Sequence, residues 1–160
     1  MKHVSTFFLK IAVFLLGIPI LVMCIFLVPE IANTVEQLLP DYPYLKYVVF
    51  VLLYGSVIPY YFALYQAFKL LRNIDRNLAF SQLSVRALKQ IKYNAVAIMV
   101  LHLLVFPLFF IFAELDDAPG VIFVGLFVPV GAMVIAVFAA VLQRLLQEAI
   151  AYKEENELTV

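Results

Sequence analysis

The chain has 160 residues, 66% hydrophobic and 14% charged, with eleven basic and eleven acidic side chains and a formal net charge of zero. Soluble domains carry about 25% charged residues, so this composition excludes an ordinary water-soluble core, and its balanced charge gives no expectation of direct nucleic-acid binding. The single cysteine, Cys24, excludes an internal disulfide and a cysteine-based zinc cluster.

Four apolar stretches, each containing one proline, dominate the sequence: Phe7–Val28, Leu45–Leu70, Lys92–Ala113 and Gly120–Leu142. An α-helix rises about 1.5 Å per residue, so about twenty apolar residues match a hydrocarbon layer of roughly 30 Å. The expected fold class is therefore all-α, an integral membrane four-helix bundle. It forms a single transmembrane domain over residues 1–160, with helices over 7–28, 45–73, 81–113 and 120–152. The first stretch opens like an export signal, but no small-x-small cleavage site follows it. Leu21-Val22-Met23-Cys24 has the outline of a lipoprotein box, yet Met23 is too large for its position and Ile25–Val28 stay apolar. The segment reads as a retained first span, with Lys10 snorkelling to the inner interface.

Residues 29–44, PEIANTVEQLLPDYPY, place Ile31, Val35, Leu38 and Leu39 at helical spacing between prolines. A short amphipathic helix on the outer membrane surface is expected there. Within the spans, Pro19, Pro59, Pro107 and Pro129 predict kinked helices. Each removes a backbone hydrogen bond and crowds the carbonyl four residues earlier. Gly55 and Gly125 stand at that position before Pro59 and Pro129, where a missing side chain relieves the crowding.

The inner joint, LLRNIDRNLAFSQLSVRALKQIK at residues 70–92, is the most distinctive segment. The second helix is expected to pass the membrane edge to about Asn73–Arg76, Asn77 to break it, and Ser81 to cap a new helix running into the third span. Leu83, Ala87, Leu88 and Ile91 share one face of that new helix. The result is a cytoplasmic helical hairpin with an apolar knuckle, Leu78-Ala79-Phe80, at its tip. Its basic residues are explained by topology alone, since they stop translocation and meet anionic lipid. An exposed phenylalanine is not. Arg72, Arg76, Phe80, Ser81, Arg86 and Lys89 are therefore the candidate partner-binding residues.

Ile74, Phe80-Ser81, Val85, Leu88-Lys89 and Ile91, with the closing Glu154-Glu155-Asn156-Glu157-Leu158-Thr159-Val160, give the chain its likeness to known proteins. It resembles the YoaS-like bacterial membrane family, a four-helix domain of unknown function, over its whole length. Leu78-Ala79 stand where that pattern favours glycine or a small polar residue, and Ser84 where asparagine is frequent. The resemblance implies a gene lying beside one for a small helix-turn-helix DNA-binding protein, and hence a membrane-bound partner of a transcription regulator.

The polar residues inside the spans are Ser56, Gln66, Asn94 and His102. An intramembrane histidine can serve as a proton or metal site, but it is more often neutral and bonded to a neighbouring backbone, serine or tyrosine. The second outer joint holds Glu114, Asp116 and Asp117, which read as a solvated acidic turn rather than a metal site. After the fourth span, Leu145, Leu146, Ala149, Ile150 and Tyr152 continue the helical pattern for about two turns. Glu154, Glu155 and Glu157 follow and could dock on the basic hairpin.

With the amino terminus in the cytoplasm, Lys2, Lys10, Lys69, Arg72, Arg76, Arg86, Lys89, Lys92, Arg144 and Lys153 lie on the inner side and only Lys46 outside. The positive-inside rule thus predicts that both termini are cytoplasmic. No HExxH, GxSxG, CxxC or phosphate loop appears, so no catalytic residue, cofactor or metal ligand is expected. The reading is a regulatory or interaction protein of the bacterial plasma membrane, in contact with lipid and with a small helix-turn-helix partner. The alternative is a small-molecule or lipid-handling transporter subunit, compatible with a homo-oligomer and using the proline kinks and His102.

Overall fold

The computed structural model describes residues 2–159, with the side chains of 2–5 and 159 excepted. Met1 and Val160, and the side chains of Lys2 and His3 weighed above, lie outside the described residues. Four helices make up the chain: α1 (Lys2–Leu38), α2 (Tyr44–Asp75), α3 (Gln82–Leu115) and α4 (Gly120–Thr159). Each is long and apolar enough to cross a membrane, and no strand occurs among the described residues. The four-span, all-α architecture expected from the sequence is the one observed.

Cross-helix contacts fix an antiparallel order. Lys10 meets Asp75 and Glu36 meets Lys46 between α1 and α2, while Lys92 meets Gln143 between α3 and α4. The helices pack in series, α1 on α2, α2 on α3, α3 on α4, with a small contact of α1 on α3. Among the described residues α4 packs on α3 alone. The bundle is therefore a curved layer whose first and last helices do not meet. Large apolar side chains on α1 and α4 face outward, Phe127 at 79% exposure among them. In hydrocarbon such a surface has no drive to pack.

Two helix ends differ from expectation. The first helix does not stop at Pro29, and no separate surface helix follows it; α1 runs through Pro19 and Pro29 to Leu38. Ala32 and Val35 explain why, since both are fully buried in a cluster with Val28, Val49, Leu53, Val105, Leu108 and Phe112. Losing that cluster would cost more than the roughly 3 kcal/mol of an internal proline. The apolar set at residues 31–39 thus faces the core, not the membrane surface. At the other end of the chain, α4 continues to Thr159, beyond the expected limit near residue 152. Ile150 is the last buried residue, and residues 151–158 are exposed.

α3 and α4 approach closely through small residues. Ala132, Ala136 and Ala139, spaced four and three apart on one face of α4, are all buried. A Cβ built on Gly125 would stand 2.9 Å from Cγ of Phe109, whereas one on Gly55 would meet nothing within 4 Å. The two glycines before prolines are therefore not equivalent. Gly125 is required by its neighbour on α3, and Gly55 faces open space. Gly125→Ala is expected to destabilise the protein by about 1–3 kcal/mol through overpacking. Gly55→Ala should be neutral or stabilising by roughly 0.5–1 kcal/mol, since glycine weakens a helix interior. Unfolding of both variants in detergent, followed by helical circular dichroism, checks the pair.

Candidate functional site at the α2–α3 hairpin

The turn between α2 and α3 is built by its own backbone. Asn77 adopts a left-handed conformation at φ 59°, which asparagine tolerates better than most residues. The Leu78 amide then donates to the Asn73 carbonyl at 2.7 Å and the Asn77 amide to the Ile74 carbonyl at 3.2 Å. This is a Schellman closure of α2. Ser81 is the residue before α3, in extended conformation, but its hydroxyl does not cap the helix. It donates instead to the Leu78 carbonyl, which also receives the hydroxyl of the fully buried Ser84 at 3.1 Å. Two serines thus pin the peptide that carries the knuckle, and Ser81 supports the turn from within.

The tip exposes Leu78 (40%), Phe80 (60%) and Leu83 (51%). Leu83 was expected on the packed face of α3, but Ser84, Val85, Ala87 and Leu88 occupy that face. Ala87 and Leu88 of the expected face are buried and Ile91 is half-buried, so only Leu83 departs from it, while Ser84 turns inward to bond Leu78. Arg76, Arg86 and Lys89 are exposed around the apolar tip, and Arg72 is half-buried in the last turn of α2. Of the six candidate residues, Arg76, Phe80, Arg86 and Lys89 are exposed, and Arg72 and Ser81 are half-buried.

A belt of lysines on aromatic rings marks the same end of the layer. Lys10 lies 5.5 Å from the Phe68 centroid, Lys69 5.6 Å from Tyr65, Lys92 5.0 Å and Lys89 6.0 Å from Tyr93. Such pairs let a lysine stem cover apolar surface while its charge stays near water. Lys10 also forms an ion pair with Asp75 at 2.7 Å, both side chains about three-quarters or more buried (25% and 19% exposed). This bond ties the first helix to the base of the hairpin. At the opposite end, Lys46 pairs with Glu36 at 3.0 Å. The lone cation on that side therefore has a local partner.

Tyrosines of α2 were missed by the sequence reading. Tyr60 donates its hydroxyl to the Leu16 carbonyl at 2.7 Å, Tyr61 to Gly17 at 2.8 Å, and Tyr54 to Cys24 at 3.1 Å. The only available signal was their number in a span with an otherwise apolar surface.

The polar residues of the spans are partly gathered. His102, Ser56, Tyr60 and Cys24 line one cavity of about 240 Å³ between all four helices, in the trough where α1 and α4 stay apart. Gln66 and Asn94 do not line it. His102 Nδ1 is 3.0 Å from the Ile98 carbonyl of its own helix, not from a neighbouring helix. Among the described residues no group of three His, Cys, Asp or Glu could hold a metal ion, and the acidic turn 114–117 is exposed.

Residues 30–160 match the family described as a protein of unknown function (DUF2975). The whole chain is 61% identical over 160 residues to the uncharacterized membrane protein YoaS of Bacillus subtilis (strain 168), covering all of both sequences. No solved structure matches. The chain belongs to the DUF2975 family, as its hairpin and closing residues suggested.

The Lys10–Asp75 pair generates an energetic expectation. A double-mutant cycle of Lys10→Met and Asp75→Asn should give a coupling of about 1 kcal/mol or more, as expected for interacting partly buried groups. The exposed Lys46–Glu36 pair should give under about 1 kcal/mol. Detergent unfolding measured at low and high salt separates the two, because only the exposed pair should fade strongly.

Proposed function

We propose that this member of the DUF2975 family is a non-enzymatic, multi-pass protein of the bacterial plasma membrane that presents its α2–α3 hairpin to a cytoplasmic protein partner. The observation that carries this reading is the pinned, exposed apolar tip of Leu78, Phe80 and Leu83, set among Arg76, Arg86 and Lys89. An apolar tip held by a Schellman turn and two serine hydroxyls loses little entropy on binding, which favours recognition. The surrounding cations suit an acidic partner and would speed its approach. The family resemblance points to a small helix-turn-helix regulator as that partner. The cytoplasmic orientation rests on the basic belt at the hairpin end and on the positive-inside bias.

Two outcomes follow. In a Cys24→Ala background, single cysteines at Ser81 and at Asp41 should react with impermeant maleimide from opposite sides of sealed vesicles. Labelling of both from one side overturns the topology. Affinity capture of the intact protein from detergent should bring down the small helix-turn-helix protein. Phe80→Ala should weaken that complex by about 2 kcal/mol or more, as for a central aromatic anchor. Arg76→Ala should cost less, and its effect should shrink as salt rises. A Phe80→Ala protein that keeps its partner but loses thermal stability would show that Phe80 serves the fold instead.

A further inference from the structure

The cavity in the trough has a chemical bias that the hairpin reading does not use. Its floor comes from α2 and α3 and its walls from α1 and α4. The cluster around Val28, Leu53, Val105 and Phe112 packs α1, α2 and α3 together beside it, on the side of the α1–α2 joint. Three polar side chains line it, and each has already committed a proton to a backbone carbonyl. Ser56 donates to Leu53 at 2.7 Å, Tyr60 to Leu16 at 2.7 Å, and His102 through Nδ1 to Ile98 at 3.0 Å. A carbonyl can only accept, so the proton of the His102 ring sits on Nδ1. No charged residue lines the cavity, so nothing compensates an imidazolium at this depth, and the ring is neutral with an acceptor lone pair on Nε2. Nε2 has no hydrogen-bond partner among the described residues. The remaining polar capacity is thus that of acceptors, with only the weak thiol donor of Cys24 beside them.

We infer that this cavity binds a compact lipophilic molecule carrying a hydroxyl or phenolic donor, which bonds to Nε2 of His102. Size supports the class. A cavity of about 150 Å³ accommodates benzene, so the ≈ 240 Å³ here suits two fused rings or an equivalent branched chain. Depth narrows the source. His102 lies about 15 Å along α3 from Lys92 and about 18 Å from Glu114 at 1.5 Å per residue. A membrane lipid anchored at either surface keeps its glycerol and headgroup hydroxyls out of reach of that level. The ligand is therefore a free lipophilic alcohol or phenol dissolved in the bilayer, and a quinone or ether of the same shape, lacking the donor, is disfavoured.

The test uses the full chain in lipid nanodiscs with ¹⁵N-labelled histidine. His102 is one of only two histidines, so its ring resonances are readily assigned, and His3 serves as an internal control. Titration with 1-naphthol should move the Nε2 resonance of His102 saturably, while naphthalene and 1-methoxynaphthalene leave it unshifted. Competition should place the two donor-free probes about fivefold to tenfold weaker, the worth of one hydrogen bond of about 1 kcal/mol. His102→Leu should erase the preference for 1-naphthol while retaining naphthalene binding. Equal affinity for all three probes would overturn the proposal and leave an apolar groove filled by acyl chains. So would an unmoved Nε2 resonance, which decides the matter on the wild-type chain even where His102→Leu fails to fold.

Discussion

Every backbone amide and carbonyl between the polar ends of this chain has to find its partner inside the protein, because hydrocarbon supplies none. Long helices are the response, and all four extend beyond the length of a bilayer. The same solvent removes the force that normally presses helices together, since lipid tails are as apolar as the side chains they would release. What holds this layer is therefore a short set of specific contacts. Three tyrosine hydroxyls and two ion pairs join α1 to α2. A stripe of alanines and one glycine let α4 settle on α3.

The α1–α2 contact also bears on the proline in the first span. Pro19 has no amide to give the Leu15 carbonyl, and the helical ladder is weakened at that turn. Tyr60 and Tyr61 deliver hydroxyls to the next two carbonyls, Leu16 and Gly17. A neighbouring helix thus supplies donors at the turn where the backbone is one short. Gly17 is buried, and a Cβ there would make ordinary contact, 3.4 Å from Leu64 and 3.6 Å from Tyr61, so the approach does not depend on the glycine. The proline and the two tyrosines form one device spread over two helices.

Serial packing divides the molecule into two regions with different chemistry. At the hairpin end, charge, hydroxyl pins and the Lys10–Asp75 bond make a rigid platform with an apolar tip. In the middle of the layer, the separation of α1 and α4 leaves a trough whose hydroxyls and imidazole each bond a backbone carbonyl first. The platform is suited to a macromolecule in water and the trough to a small molecule in lipid.

Much of the architecture was legible in the sequence because membrane solvation is a one-dimensional constraint. Twenty apolar residues declare a span without reference to any other part of the chain, and basic residues declare its flanks. Asn77 as the end of α2 and the family signature around Phe80 were readable for the same reason, being local. Contacts between helices were not. Pro29 looked like a terminus until Ala32 and Val35 were seen to be buried against α2 and α3. Leu83 left the face it shares with Ala87 and Leu88 in the sequence pattern, and Ser84 is buried instead with its hydroxyl on the Leu78 carbonyl. Gly55 and Gly125 are identical in local sequence logic, and only the position of Phe109 on another helix separates them. That α1 and α4 stay apart, and so leave His102 facing a cavity, follows from which helix pairs offer hydroxyls, small residues and an ion pair to each other. A linear pattern carries no record of that choice, since it is made by distances between residues far apart in the chain.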